Sequence, residues 1–598
     1  MDIFDFYKGK VFNAYEYLGA HITDNGTVFR TYAPNASKVS WIGDLSGWKD
    51  VPMEKTGDGR FYELTLPEAS EGMRYKYRIY NKKGEFIDHC DPYGYGMELR
   101  PGTCSVVRSL DGYSFTDEKW MIERTDCRDK PMNIYEVHLG SWRRKSDDEE
   151  TGWYSYSEIA DQLISYVKET GYNFIELMPL SEHPCDESWG YQSTGFFAPT
   201  SRYGTPAELM ELVDKCHEQG IGIIMDFVPV HFAVDHYALT EYDGTKLYEY
   251  PDDEAGYNEW GSRNFMHSKG EVRSFIQSAA DYWLTVYHFD GLRMDAIRNM
   301  IYWNGQEYRG VNRAAINFLK DMNCGLKARH PSAILAAEDS SSYPKVAAPV
   351  FDGGLGFDYK WDLGWMHDTL EYFQSAPMYR TRDYHKLTFS MLYFYNERFI
   401  LPLSHDEVVH GKATIAQKMN GQYPDKFPQA RAMYMYMIAH PGKKLNFMGN
   451  EFAQLREWDE KRQQDWDMLK YPMHDSFREY IKALNRIYLK YSALHYDYDP
   501  TNFMWDDCNS AQRCIYAIRR KSAEGDILAV FNFSDWFQAD YSVKIGDGFN
   551  VELLLDSDNQ LYSGRTPDGA TAFSCAGDRI SMDIPPFSGR MFLLTRDK

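Results

Sequence analysis

The 598-residue sequence predicts an α/β protein: a catalytic (β/α)8 TIM barrel flanked by an N-terminal and a C-terminal β-sandwich. Three observations predict it. From Pro131 to about residue 498, short apolar runs alternate with amphipathic helical stretches, the pattern of parallel strands joined by crossover helices. Both ends of the chain read as β-strands without intervening helices. Four apolar runs end in an acid: Ile221–Asp226, Phe289–Asp295, Ala333–Glu338 and Phe399–Asp406. The C-terminal rim of a parallel barrel is where such a fold carries its chemistry. Chance or an ion-pair network accounts for one or two such endings, but four in sequence order point to a glycoside-cleaving site.

The elements follow in order. Thr27–Ala33, Lys38–Ile42, Phe61–Leu66 and Arg74–Tyr80 alternate or are rich in β-formers, and Asn81-Lys82-Lys83-Gly84 marks a tight turn. These make a small sandwich, and the polar, charged stretch 111–130 reads as a linker. Barrel strands are expected at Asn133–Val137, Asn173–Met178, the four acid-terminated runs and Lys444–Phe447. Amphipathic helices are expected at Ser157–Glu169, Thr205–Gln219, Glu271–Tyr287 and Asn312–Arg329. After about Asp499 the helices stop, and Gly525–Ser534, Asn550–Leu555 and Arg579–Leu594 read as strands. The expected domains are therefore 1–115, 116–498 and 499–598. A doubly wound sheet is the competing topology, but no Gly-rich phosphate loop follows an early strand.

Composition narrows the function. A formal net charge of −23 disfavours nucleic acid and anionic lipid but is indifferent to a neutral polymer. Aromatic residues make up 16% of the chain, which suits stacking on sugar rings as well as aromatic-rich cores. Nine scattered cysteines without CxxC or zinc spacing suggest reduced thiols. The start MDIFDFYKGK shows no basic region followed by an apolar stretch, and no run of about 18 apolar residues occurs. A cytoplasmic protein is expected.

Retaining cleavage of a glycosidic bond needs two carboxyls about 5 Å apart, one as nucleophile and one as acid/base. Arg293 stands two residues before Asp295, on the same strand face, where a cation keeps a carboxylate ionised and oriented. A rim salt bridge is the plainer reading of that pair alone, at even odds. Glu338 ends an apolar strand, where desolvation favours the protonated form needed of an acid, and Asp339 points to the other face. His405-Asp406 pairs a donor with an acceptor for hydroxyl groups, although such a dipeptide is commonly plain surface. Asp226 with His231 adds another acid and donor. A metal site is the alternative there, with few ligands to support it.

These residues lie in strings that resemble the four motif regions of the α-amylase family of glycoside hydrolases: DFVPVH, GLRMDAI, AAED and LSHDEVVHGK. The chain is more closely similar to the glycogen (1,4-α-glucan) branching enzymes. That likeness is carried by WGYQSTGFFAPTSRYGTP (Trp189–Pro206), KWDLGWMHDT (Lys360–Thr369), LPLSHDEVVHGK (Leu401–Lys412) and KKLNFMGNEFAQLREW (Lys443–Trp458). YAPNASKVSWIGDLSGW (Tyr32–Trp48) resembles the starch-binding-type sandwich that precedes the barrel in these enzymes, and the resemblance spans nearly the whole chain.

The resemblance implies that Asp295 is the nucleophile, Glu338 the general acid/base and Asp406 the transition-state stabiliser. It also implies that Tyr191, Asp226, His231, Arg293 and His405 shape the subsite for the attacked glucose, Tyr191 by stacking. The implied reaction cuts an α-1,4 bond of a linear glucan and rejoins the piece through an α-1,6 bond. Glycogen, amylose or amylopectin would be donor and acceptor. No cofactor or metal is expected, no nucleic acid or membrane partner, and a monomer or weak oligomer.

Three departures bear on chain-length preference rather than on the chemistry. Asp339 replaces a common second Glu, Phe227 stands where Trp is common, and the stretch from Asp295 to Glu338 is short. The additional N-terminal module of some relatives is not expected. In the sandwiches, Trp41, Trp48, Trp505 and Trp536 are candidates for glucan stacking, with core packing the competing role. Two rivals remain open. One is a glucan hydrolase (debranching or maltooligosyltrehalose-cleaving) on the same scaffold. The other is a non-catalytic glucan-binding scaffold, which the presence of all three carboxyls disfavours.

Overall fold

A computed structural model describes residues 1–570 and 572–596. Residues 571, 597 and 598 of the expected C-terminal domain lie outside the described residues. The chain divides into two compact units, Met1–Arg124, His138–Ile164 and Glu176–Asp358 in one, and Thr125–Val137, Ser165–Ile175 and Tyr359–Lys598 in the other.

Eight parallel strands close into a barrel. They are β1 (Asn133–Val137), β2 (Phe174–Leu177), β3 (Gly222–Phe227), β4 (Gly291–Met294), β5 (Ile334–Ala337), β6 (Tyr359–Trp361), β7 (Phe399–Leu403) and β8 (Lys443–Phe447). Every residue of these strands is buried, which explains why they read as continuous apolar runs rather than alternating ones. The long helices are α1 (Tyr156–Thr170), α2 (Pro206–Glu218), α3 (Gly270–Val286), α4 (Arg313–Arg329), α5 (Leu363–Gln374), α6 (Tyr423–Ala439) and α7 (Pro472–Lys490). Local chemistry sets several of their starts. Thr205 and Glu208 form a reciprocal capping box with Pro206 in the first turn of α2, and Asn312 and Asp362 cap α4 and α5. Between β5 and β6 the regular alternation lapses, and the connection carries only a single 3-10 turn, Val350–Asp352.

In the first unit, the N-terminal sandwich packs a four-stranded sheet against a five-stranded one. Phe61–Leu66 and Arg74–Tyr80 form strands with the expected bounds. Trp41 lies in the core with Phe29 and Tyr75, only 1% exposed, so it cannot stack on a sugar. Trp48 is half-buried.

The first residues of the chain are fastened to α3. Ser274 Oγ donates to Phe6 O (2.9 Å), Gln277 Nε2 to Gly9 O (3.0 Å) and Val11 O (2.8 Å), and Ala14 N to Ser278 Oγ (3.1 Å). A Cβ on Gly270 would stand 1.8 Å from Tyr7 O, so this close approach requires glycine.

The stretch read as a linker is instead a strap with a short helix, Glu118–Glu123, bonded to the barrel residues of its own unit. His217 Nδ1 donates to Asp117 Oδ2 (2.8 Å) and Nε2 to Asp290 Oδ2 (3.1 Å), while His288 Nδ1 also meets Asp117 (2.9 Å). Trp120 Nε1 and Arg124 Nη1 donate to the other Asp290 oxygen (2.9 and 3.2 Å). Burial alone would lower the His217 pKa, but the Asp290 and Asp117 carboxylates outweigh it and push the ring up to about 9.

In the second unit, the C-terminal domain is a sandwich of a five-stranded and a three-stranded sheet. Its core includes Leu528, Val530, Ile580, Ile584, Phe592 and Leu594. Trp536 is 60% exposed. Among the described residues no helix is long and apolar enough to cross a membrane.

Candidate active site

Asp226 is the fifth residue of β3, and Asp295 and Glu338 each stand one residue beyond β4 and β5. Parallel register fixes their neighbours. Asp226 faces Arg293 across β3–β4, Asp295 N donates to Phe227 O (3.0 Å), and Glu338 N donates to Met294 O (3.0 Å).

Arg293 organises this group. Its side chain is 1% exposed, and Nη1 donates to both oxygens of Asp226 (2.8 Å each) and to Asp295 Oδ1 (2.7 Å). Nη2 is 4.0 Å from Glu338 Oε2. Burial of the guanidinium works against its charge, but the Asp226 and Asp295 carboxylates hold its pKa well above the ordinary value. The cation is therefore permanent, and it stands 2.7 Å from Asp295 Oδ1.

Glu338 is held differently. Its Oε2 accepts the Ala296 N–H (2.9 Å), and its backbone O accepts the Ile297 N–H (2.9 Å). Ala296 has φ +50°, a left-handed conformation that costs a non-glycine residue energy and turns its amide towards the carboxylate.

The expected subsite residues gather here too. The Tyr191 hydroxyl donates to Asp226 Oδ2 (2.5 Å), and its ring lies 6.0 Å from the Arg293 guanidinium. His231 is fully buried, and that burial pulls its pKa down to about 4 against a partly compensating bond to the Tyr191 carbonyl. The neutral ring donates Nε2–H to Tyr191 O (3.0 Å), which leaves Nδ1 as an acceptor rather than the expected donor. Among the described residues, no group of three or more His, Cys, Asp and Glu could hold a metal ion.

In the second unit, β7 ends at Leu403 and Asp406 lies three residues later, on the 3-10 turn His405–Val408. The expectation that this acid closes its strand is thus corrected, since the chain turns away after Leu403. His405 is buried, whereas the Asp406 side chain is 55% exposed with Oδ1 3.5 Å from His405 Nε2. Glu136, on β1, grips His405 with both oxygens: Oε2 accepts the His405 N–H (2.9 Å) and Oε1 accepts Nδ1–H (2.5 Å).

Sequence reasoning overlooked Glu136 and Ala296. Glu136 had a usable signal, because a glutamate inside an otherwise buried strand must be paired. Ala296 had none, because its contribution is a backbone angle.

Comparison with known proteins places the chain as a whole. Residues 17–94 match the family model "Carbohydrate-binding module 48 (Isoamylase N-terminal domain)", residues 143–253 "Alpha amylase, catalytic domain" and residues 505–595 "Alpha amylase, C-terminal all-beta domain". The solved pullulanase of Anoxybacillus sp. LM18-11, complexed with maltotetraose, shares the fold with TM-score 0.75 and 17% identity, covering 99% of this chain and 89% of that one. The catalytic module of the pneumococcal glycogen-degrading virulence factor SpuA gives 0.74 and 16%, covering 97% of each. Much closer in sequence is the 1,4-alpha-glucan branching enzyme GlgB of Bacillus caldolyticus, 42% identical over 98% of this chain and 90% of that protein. The GlgB of Fusobacterium nucleatum subsp. nucleatum is 43% identical over 94% and 92%. With identity of that level along almost its entire length, the chain belongs to the 1,4-α-glucan branching enzyme family.

Proposed function

We propose that this chain is a glycosyltransferase that cuts α-1,4 bonds of a linear glucan and makes α-1,6 branches by retaining double displacement. The observation that carries the mechanism is the single buried guanidinium serving two carboxylates with a third 4.0 Å away.

Asp295, paired with Arg293, attacks the anomeric carbon while Glu338 gives its proton to the departing glycosidic oxygen. The first product leaves with a free 4-hydroxyl, and the rest of the donor is held as a covalent glycosyl ester on Asp295. The 6-hydroxyl of an acceptor glucan then attacks the same carbon. Glu338 takes its proton, and the ester bond breaks to restore the Asp295 carboxylate. Two inversions keep the α configuration.

Asp406 engages sugar hydroxyls as the ring flattens, with His405 fixed beside it by Glu136. Tyr191, Asp226, His231 and Arg293 shape the pocket for the attacked glucose. No redox or phosphoryl step occurs, so no cofactor is required. Glycogen, amylose and amylopectin are the donors and acceptors, and the protein acts in the cytoplasm as a monomer or weak oligomer. Domains 1–115, 116–498 and 499–598 supply a glucan-binding sandwich, the catalytic barrel and a C-terminal β-domain.

The test is a linkage count on linear amylose. Reducing ends that appear only after treatment with a separate debranching enzyme are the expected result, whereas ends that accumulate beforehand with none added mean a hydrolase. Asp295→Ala abolishes branching with the fold intact by circular dichroism, and wild-type-like activity in that variant would overturn the nucleophile assignment.

A further inference from the structure

Asp406 depends for its position on a loop rather than a strand. After the 3-10 turn His405–Val408 the backbone enters the left-handed region at His410 (φ +56°), Gly411 (φ +78°) and Ala413 (φ +66°). Two of these are not glycine, so the loop is strained and needs something outside it to hold its shape. Gly411 has open space where a Cβ would go, so its angle, not crowding, is what calls for glycine.

What holds the loop is Glu457, in the segment after β8. Its Oε2 accepts the Gly411 N–H (2.9 Å) and its Oε1 the Ala413 N–H (2.6 Å), a carboxylate seated in a small nest of backbone amides. The neighbouring Trp458 N donates to Val408 O (2.9 Å). Two lysines close the other side. Lys412 Nζ donates to Asp406 O (2.8 Å), and Lys418 Nζ donates to Glu407 O and to Ala413 O (2.6 Å).

We propose that Glu457 is a positioning residue for Asp406. It touches no reacting atom in this arrangement. It locks the left-handed loop that fixes where the Asp406 carboxylate stands, so its loss lowers the rate of the chemical step rather than the affinity for glucan. The proposal rests on the assignment of Asp406 given above.

The test uses the full-length protein with Glu457→Ala and Glu457→Gln, measured as branching of amylose. The expected result for Glu457→Ala is a fall in kcat of about 100-fold, from losing two charge-assisted hydrogen bonds. KM stays within about threefold, because glucan contacts are untouched. Added formate, which can refill the amide nest, restores part of the activity in Glu457→Ala.

Glu457→Gln keeps one acceptor oxygen and falls between the two. If Glu457→Ala does not fold, Glu457→Gln carries the test, with a fall in kcat of about 10-fold expected. A kcat within twofold of wild type overturns the proposal, as does a loss that tracks a lowered melting temperature and ignores formate. Wild-type protein that makes no branches overturns the functional reading itself, and the positioning role with it. Wild type that branches normally beside an unimpaired Glu457→Ala removes only the positioning role.

Discussion

Glu136→Gln separates the oriented histidine from a merely buried one. In the native protein two donors of His405, the backbone N–H and Nδ1–H, meet the two oxygens of one carboxylate at 2.9 and 2.5 Å. A glutamine of the same shape offers one oxygen and one NH2 group, so one donor then faces another donor in a buried site. The loss is one charge-assisted hydrogen bond together with an unsatisfied donor, about 2–3 kcal/mol after partial relaxation. If His405 serves the transition state, that corresponds to roughly a 30- to 150-fold fall in kcat/KM. The assay is the initial rate of branching on amylose over a range of concentrations, with circular dichroism to confirm the fold. Glu136→Gln activity within threefold of wild type, beside an inactive His405→Ala, would refute the reasoning, since His405 would then need no orientation by Glu136.

Further consequences can be measured. Arg293→Met leaves the buried Asp226 carboxylate without its cation, so unfolding should become easier by about 3–5 kcal/mol, read from the denaturant midpoint, and activity should vanish. An unchanged midpoint would mean that the charge is compensated elsewhere. The strap network carries a pH dependence. His217 has its folded pKa raised from 6.5 to about 9, so the stability it contributes is fully present below pH 6.5 and is lost as pH rises through 9. Its Asp117 and Asp290 partners are shifted downward, burial being outweighed by His217 and His288 at Asp117 and by His217, Arg124 and Trp120 at Asp290, so they do not produce an alkaline loss. The melting temperature should fall between pH 7 and 10 in wild type and fall less steeply in His217→Gln. Parallel curves would exclude His217 as the source.

Much of the fold was legible because its periodicities are strong. Arg74–Tyr80 alternates through seven residues and forms the expected strand, and the four acid-ended runs are all barrel strands. What escaped did so for physical reasons. β6 is three residues long, too short for any period to register. α6 contains Pro428 and is buried at every position from Gln429 to Ala439, so it has no polar face to mark it. The strap looked like a linker because Asp117, Trp120 and Arg124 satisfy one another's neighbours in three dimensions, which composition cannot show. Among the candidate site residues, the positions of Asp226, Arg293, Asp295 and Glu338 at or just beyond strand ends were readable. The placement of Asp406 on a turn depends on the loop held by Glu457, some fifty residues further on.

The fastening of the first residues to α3 has a consequence for biogenesis. The sandwich is synthesised first, yet the carbonyls of Phe6, Gly9 and Val11 find their donors only at Ser274 and Gln277. On a ribosome that adds about 5–20 residues per second, those partners emerge many seconds after the sandwich strands are complete. The earliest species in which these carbonyls are paired must therefore already include α3. A nascent chain halted before residue 286 should be cut by protease near its start, while one halted after β5 should resist.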